Sequence, residues 1–154
     1  MGVSDSGASP MTGKYVRIFA AFWLTLSMTT VSANAQAVAL LLFDGKTGKV
    51  FAGCLNCNRY DGASVCNRYG DYGSVYSDKS IWNRYGEFGS RYEDNSPWNS
   101  YGEGLRIVDS DGNYYGRFSR TYYGQSKIPL IQALLKAYES NDDLSDLRER
   151  LCES

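Results

Sequence analysis

The chain contains no histidine among its 154 residues. That absence removes the commonest general base, together with the Ser-His and Cys-His nucleophile systems. Proline is also scarce, and only Pro97 and Pro129 lie beyond residue 35. Charge of one sign is missing as well: across residues 54–126, eight Lys/Arg stand against nine Asp/Glu. Such a balance offers no polycationic stretch to neutralise phosphates, so nucleic acid is not an expected partner. The interleaving at Arg59-Tyr60, Arg68-Tyr69 and Arg84-Tyr85 superficially resembles a base-stacking surface, but the charge balance argues against that reading. Residues 58–104 are nearly devoid of aliphatic side chains, with Val65, Val75 and Ile81 the main exceptions. Any core built there has to be aromatic.

The N-terminus supplies the long apolar run that the rest of the chain lacks. Lys14 and Arg17 precede residues 18–31, and Ser32-Ala33-Asn34-Ala35 closes the run. A basic region, a short apolar core and an Ala-x-Ala site make a secretory signal peptide, expected over residues 1–35 with cleavage after Ala35. Met11 gives a tidier basic region than Met1 and is an alternative start. The run is shorter than the roughly 20 residues that span a bilayer, so no membrane span is expected after cleavage. Residues 36–154 then form a single mature domain.

What the mature part has in abundance is repetition. Cys66-Asn67-Arg68-Tyr69-Gly70-Asp71-Tyr72-Gly73-Ser74 is followed sixteen residues later by Trp82-Asn83-Arg84-Tyr85-Gly86-Glu87-Phe88-Gly89-Ser90. Nine of the sixteen positions in 66–81 and 82–97 are identical, and Trp98-Asn99 opens a third copy. A short fixed period marks units that bury their apolar faces only against neighbours. The glycines within each copy point to turns with positive φ rather than to a helix or a long strand.

Hairpins are expected on either side of the repeats. Apolar residues 38–43 lead through Asp44-Gly45-Lys46-Thr47-Gly48 to Val50-Phe51, and residues 105–108 lead through Asp109-Ser110-Asp111-Gly112-Asn113 to Tyr114-Tyr115. In the second hairpin Leu105 and Ile107 alternate with Arg106 and Val108, which gives that strand one wetter face. Ile128, Ile131, Leu134, Leu135 and Tyr138 then recur at helical spacing, with Pro129 suited to a first turn. After an interruption at 140–143, Leu144, Leu147 and Leu151 make a second stripe, closed by Arg148 and Arg150 in keeping with the helix dipole. The expected fold is α+β: hairpins over 36–57 and 105–126 bracketing the Gly/aromatic repeats of 58–104, with one or two helices over 127–154.

Several chemical readings fall away. Gly45-Lys46-Thr47 lacks the upstream glycine of a phosphate-binding loop. Residues 109–113 are oxygen-rich, yet the distal Glu and flanking helices of a calcium loop are missing, and Asp-Gly favours a tight turn. Cys54-Leu55-Asn56-Cys57 has no matching second pair for zinc. Four cysteines in an exported chain read as disulfides, with three pairings open. Cys54–Cys57 with Cys66–Cys152 is preferred: Cys66 holds the phase of Trp82 and Trp98 and so faces inward, while a turn at Leu55-Asn56 would bring the other two together. No metal, cofactor or catalytic residue is expected. The acids recur at repeated turn positions such as Asp71, Glu87 and Glu103, which favours a structural role over a catalytic pair.

The aromatic repeats carry the functional expectation. Tyr and Trp among Asn, Arg and Asp give apolar ring faces with polar rims, as a glycan-binding surface does. Trp82 and Trp98 are assigned to the core, and Tyr69, Tyr72, Tyr85 and Phe88 to a contact surface for a glycan or another cell-envelope component. The alternative is an exported hydrolase using carboxylates on polysaccharide. The repeat wording, preceded by Gly53-Cys54-Leu55-Asn56-Cys57 and closed by Ile107-Val108-Asp109 and Asp111-Gly112-Asn113-Tyr114-Tyr115-Gly116, resembles a group of small exported bacterial proteins with tandem repeats and no assigned activity. The resemblance covers roughly residues 43–124. It implies a bacterial origin and a periplasmic or extracellular destination, and it carries over no catalytic residue.

Overall fold

A computed structural model describes Gly7 and residues 37–153; the expected signal peptide lies outside the described residues. The fold is α+β. Strands β1 (Leu41–Asp44), β2 (Phe51–Cys54), β3 (Leu105–Val108) and β4 (Tyr114–Phe118) are followed by helices α1 (Pro129–Ser140) and α2 (Leu144–Cys152). The two expected hairpins do more than bracket the repeats. They join through antiparallel pairing of β1 with β3, Leu42 opposite Ile107, into one sheet of order β2-β1-β3-β4. Leu42, Ala52, Leu105, Ile107 and Phe118 are among its buried residues, while Arg106 and Val108 stay partly wet as the alternation implies.

Each hairpin is pinned by the aspartate that precedes its turn. Asp44 accepts from the backbone N–H groups of Thr47 (2.6 Å), Lys49 (2.8 Å) and Val50 (2.8 Å) and from the Thr47 hydroxyl (2.8 Å). Asp109 accepts from the N–H groups of Asp111 and Asn113, the Asn113 amide and the Tyr115 hydroxyl, all at 2.8–2.9 Å. The oxygen-rich look of residues 109–113 is thus used up inside the turn, where Gly112 takes a φ of 85°.

The repeat block contains neither helix nor strand, only turns joined end to end. Gly70 N–H bonds the carbonyl of Asn67, Ser74 that of Gly70, Ser77 that of Ser74, Ser80 that of Ser77 and Asn83 that of Ser80, at 3.0–3.3 Å. Each junction residue accepts for one turn and donates for the last. Four steps of three residues and one of four therefore carry the chain from Asn67 to Asn83, which is the sixteen-residue period. The next copy repeats the steps through Gly86, Ser90, Glu93, Ser96 and Asn99. Junction side chains complete the scheme by bonding the N–H two residues on, as Ser80 does for Trp82 (3.2 Å) and Asn83 for Tyr85 (3.1 Å).

Successive copies stack through tryptophan. The Trp82 indole N–H donates to the Val65 carbonyl (2.7 Å) and that of Trp98 to the Ile81 carbonyl (2.6 Å), one copy back in each case. Trp98 also lies 4.7 Å from the Tyr138 ring of α1 in a stacked arrangement and meets Phe118 of β4 edge-on at 5.2 Å. Sheet, coil and helices thereby share one core, completed by Ile131, Leu134, Leu135 and Leu147.

The C-terminal segment is two helices. Asp143 caps α2 by accepting from Ser145 N–H (2.9 Å) and Asp146 N–H (3.4 Å). Arg148 departs from its expected role at the helix end. It is buried, and its guanidinium donates to the carbonyls of Gly73 (2.8 Å) and Cys66 (2.9 Å), two oxygens of the turn coil. The Cys66–Cys152 disulfide ties α2 to the same place, and Cys54–Cys57 closes the short turn after β2.

The repeat glycines correct the sequence reading. Gly70, Gly73, Gly86 and Gly89 are not among the glycines at positive φ. At Gly73, Gly86 and Gly89 backbone passes close by: a Cβ on Gly73 or Gly89 would collide with the carbonyl oxygen of Asn67 or Asn83, six residues earlier, while Gly70 lies against the Asn67 side chain. Gly89→Ala is therefore expected to destabilise the fold by about 1–3 kcal/mol or more. Gly62→Ala, where a Cβ meets open space, should change stability by less than about 0.5 kcal/mol. Urea unfolding of the two variants makes the comparison, and equal midpoints would refute the packing account.

Candidate functional site

The same local turn sends its third residue inward at one corner of the coil and outward at others. Trp82 and Trp98 follow Ser80 and Ser96 into the core. Tyr60, Tyr69, Tyr76, Tyr85, Tyr92 and Tyr101 follow Asn or Ser junctions in the same way, yet they are 84–96 % exposed. They fall in two phases of the period, Tyr60/Tyr76/Tyr92 and Tyr69/Tyr85/Tyr101. Exposed aromatics in this number and order form a feature that a monomer does not need for folding. Their backbone positions are fixed, because each tyrosine N–H is held by the junction side chain two residues before it.

Neighbouring tyrosines share clefts. Tyr60 and Tyr69 flank one of about 480 Å³, with Arg59, Arg68 and Glu153. Tyr69 and Tyr76 flank the next, about 360 Å³, with Arg68, Arg148 and Glu149. One copy further on, Tyr85 and Tyr92 flank its counterpart, about 360 Å³, with Arg84, Arg91 and Asp142. Tyr92 and Tyr101 flank another of about 360 Å³ with Arg91 and Arg120. The segment from α1 into α2 supplies the far wall: Tyr138, Asp142 and Leu144 at one cleft, Ser145 and Glu149 at another, Glu153 at a third.

The arginines are held loosely. Arg68 pairs with Glu153 at 2.9 Å and Arg91 with Asp142 at 3.4 Å, all partly exposed. Arg84 reaches the Asp142 carbonyl at 3.3 Å. Exposed pairs of this kind hold side chains in place with little energy, so a ligand can compete for them. Arg148 differs, because burial pulls its guanidinium down from the ordinary value, Arg68 adds to that and Glu153 opposes it. It serves the coil carbonyls.

Of the four residues assigned to the contact surface from sequence, Tyr69 and Tyr85 stand on this row. Tyr72 is half-buried, its ring edge-on to Phe51 at 5.0 Å. Phe88 is fully buried in the core and is no part of the surface. Both rings sit within a four-residue step, from Gly70 to Ser74 and from Gly86 to Ser90, whereas Tyr69 and Tyr85 sit in the three-residue step before it. Sequence reasoning did not assign Tyr60, Tyr76, Tyr92 and Tyr101; Tyr101 shares the phase of Tyr69 and Tyr85, and Tyr60, Tyr76 and Tyr92 recur at their own sixteen-residue phase, which was the usable signal.

The buried carboxylates do not look like catalysts. Burial alone would raise the Asp44 carboxyl, but bonds from Val50, Thr47 and Lys49 outweigh it and hold the group well below the usual range. Asp109 is lowered to about 2, chiefly by the Asn113 side chain, against burial, with help from the Asn113, Tyr115 and Asp111 bonds. A general acid needs a raised pKa, and both of these are depressed. Among the described residues no group of His, Cys, Asp or Glu is arranged to hold a metal ion. No helix among them is long and apolar enough to cross a membrane. The two disulfides indicate an oxidising, extracytoplasmic environment. No family model, curated protein or solved structure matches the chain.

The depressed Asp44 pKa sets a pH dependence. A carboxylate with a lowered folded pKa contributes stability that is complete above its unfolded value, near 3.8, and is lost as pH falls toward the folded value. Urea midpoints of the native chain should therefore fall steeply between about pH 5 and about pH 2. Asp44→Asn should be less stable at neutral pH and lose less on acidification. Parallel pH profiles for the two proteins would contradict this.

Proposed function

We propose that the protein is an exported, non-catalytic binding module that holds an extended glycan along its tyrosine row, in the periplasm or outside the cell. One observation carries the reading: six exposed tyrosines in two phases of the repeat, with clefts between Tyr60 and Tyr69, Tyr69 and Tyr76, Tyr85 and Tyr92, and Tyr92 and Tyr101. A sugar ring presents an apolar C–H face and a polar rim of hydroxyls. Tyr supplies a flat apolar face with a polar tip and loses few rotamers on binding. Asn, Ser and Arg around each ring supply partners for the hydroxyls.

Repetition adds to each contact. Once one sugar sits between two tyrosines, the next residues of the same polymer are held at high local concentration over the next cleft. A row of individually weak sites then retains a long chain while releasing short oligosaccharides. The resemblance to small exported bacterial repeat proteins supports a cell-envelope or extracellular polymer as the partner.

Retention of the mature chain on insoluble peptidoglycan and on a panel of polysaccharides tests the reading. Tyr85→Ala combined with Tyr92→Ala should weaken retention about tenfold, the effect of roughly 1.4 kcal/mol, with unchanged urea stability because both rings are exposed. Retention that is indifferent to these rings would sink the proposal. Release of new reducing ends that stops on replacing a single acid would favour a hydrolase instead.

A further inference from the structure

The even charge of the repeat region hides a segregation. The four clefts are lined by Arg59, Arg68, Arg84, Arg91, Arg120 and Arg148, against only Asp142, Glu149 and Glu153. All three of those acids come from the α1–α2 junction, from α2 or from just after it. The repeat's own acids, Asp61, Asp71, Asp78, Glu87, Glu93, Asp94 and Glu103, line none of these clefts. They occupy other corners of the coil, so the tyrosine face is cationic although the chain as a whole is slightly acidic.

Several of these guanidiniums are also uncommitted. Among the described residues Arg59, Arg84 and Arg120 pair with no carboxylate. Arg120 donates to the Trp98 carbonyl and lies over the Tyr138 ring at 5.2 Å, while its Nε is buried without a partner. In the cleft between Tyr85 and Tyr92, Arg91 meets the carboxylate of Asp142 while Arg84 donates only to the Asp142 backbone carbonyl, so two guanidiniums face one carboxylate and the cleft retains a surplus positive charge.

From this arrangement we infer that the tyrosine row selects an acidic polysaccharide, a polymer of uronic acid sugars whose carboxylates lie on the arginines between the rings. The inference rests on the glycan-binding reading and deepens it. The carboxylate is favoured as the anion because Arg68 and Arg91 already take carboxylates, those of Glu153 and Asp142. Arginine forks match a carboxylate in geometry as well as in charge. Ring sugars are required by the tyrosines, which a polyol phosphate chain would leave unstacked. A uronate can then replace Glu153 or Asp142 on its arginine, so a negative charge already resident on the row is exchanged and no bare site has to be desolvated.

Affinity electrophoresis in gels containing polygalacturonate, its fully methyl-esterified form, or single-stranded DNA tests the inference on the mature, oxidised chain. Esterification keeps the sugar backbone and removes its charge. The acidic form should bind at least about tenfold more tightly than the ester, and raising salt should weaken only the acidic form. Arg84→Gln with Arg91→Gln should lose about tenfold on the acidic form and much less on the ester, because glutamine keeps a hydrogen-bonding amide for the hydroxyls and removes only the charge, with unchanged urea stability. Equal binding of both forms would overturn the acidic selectivity and leave the tyrosine reading standing. Binding of neither form would overturn the acidic-polysaccharide assignment, while retention on peptidoglycan or the polysaccharide panel separately decides the glycan-binding reading. Tighter binding to single-stranded DNA than to polygalacturonate would overturn the assignment of a polysaccharide.

Discussion

A backbone that forms neither helix nor sheet must still satisfy its N–H and C=O groups, and nearly everything in this molecule follows from how residues 58–104 do so. The i to i+3 bond at each junction uses one N–H in three. At most junctions the N–H two residues on is met by an Asn, Asp or Ser oxygen, which ties the identity of those junction residues to a hydrogen bond; the junctions Gly70, Gly86 and Glu93 lack this bond. These short polar side chains are poor in helices for the same reason that they succeed here: they bond their own local backbone. The period of sixteen is a consequence of counting turns, and the glycines mark where one turn passes against another.

Such a coil has little aliphatic mass, so its stability comes from wherever its aromatic corners meet something apolar. Trp98 is the place where all three parts of the domain meet, through Ile81 O, Phe118 and Tyr138. The start of the coil has a cysteine, Cys66, in place of tryptophan. There a disulfide to Cys152 and the two carbonyl bonds of Arg148 supply what indole packing supplies later. A covalent tie across such a long loop restricts the unfolded chain by about 4 kcal/mol in the entropic account, a large share for a domain of this size.

The hairpins were legible because Asp-Gly turn chemistry is local, and the helices because their apolar stripes are. Local signals had limits even there: the apolar run beginning at Val38 suggested a longer strand, yet Val38 is half-exposed and β1 starts at Leu41. The pairing of β1 with β3 was not legible, since more than sixty residues separate Leu42 from Ile107 and no local pattern specifies that contact. Phe88 and Tyr85 look alike in a sequence of alternating aromatics and glycines. Only the four-residue step between Gly86 and Ser90 separates the buried ring from the exposed one, and that step is visible in hydrogen bonds, not in residue types. Arg148 looked like a helix-dipole residue because nothing in α2 itself announces the carbonyls facing it.

Composition says little about where charge lies. Eight bases against nine acids describe residues 54–126 as a whole, and they do not say how the charges are distributed among the corners of the coil. A coil with a fixed number of residues per copy sorts them. Residues sixteen apart recur at the same corner, so Arg68 and Arg84 fall on the tyrosine side, while Asp71 with Glu87 and Asp78 with Asp94 recur on corners outside the clefts. Net charge therefore constrains the solubility of such a protein but not its recognition, which is set per corner. The same logic governs aromatics: a ring two residues after Ser80 or Ser96 builds the core, and a ring two residues after Asn67 or Asn83 builds the row. Lengthening the repeat by whole copies would extend core and row together. Inserting any number of residues other than a full period would put a tryptophan in water and a tyrosine in the core.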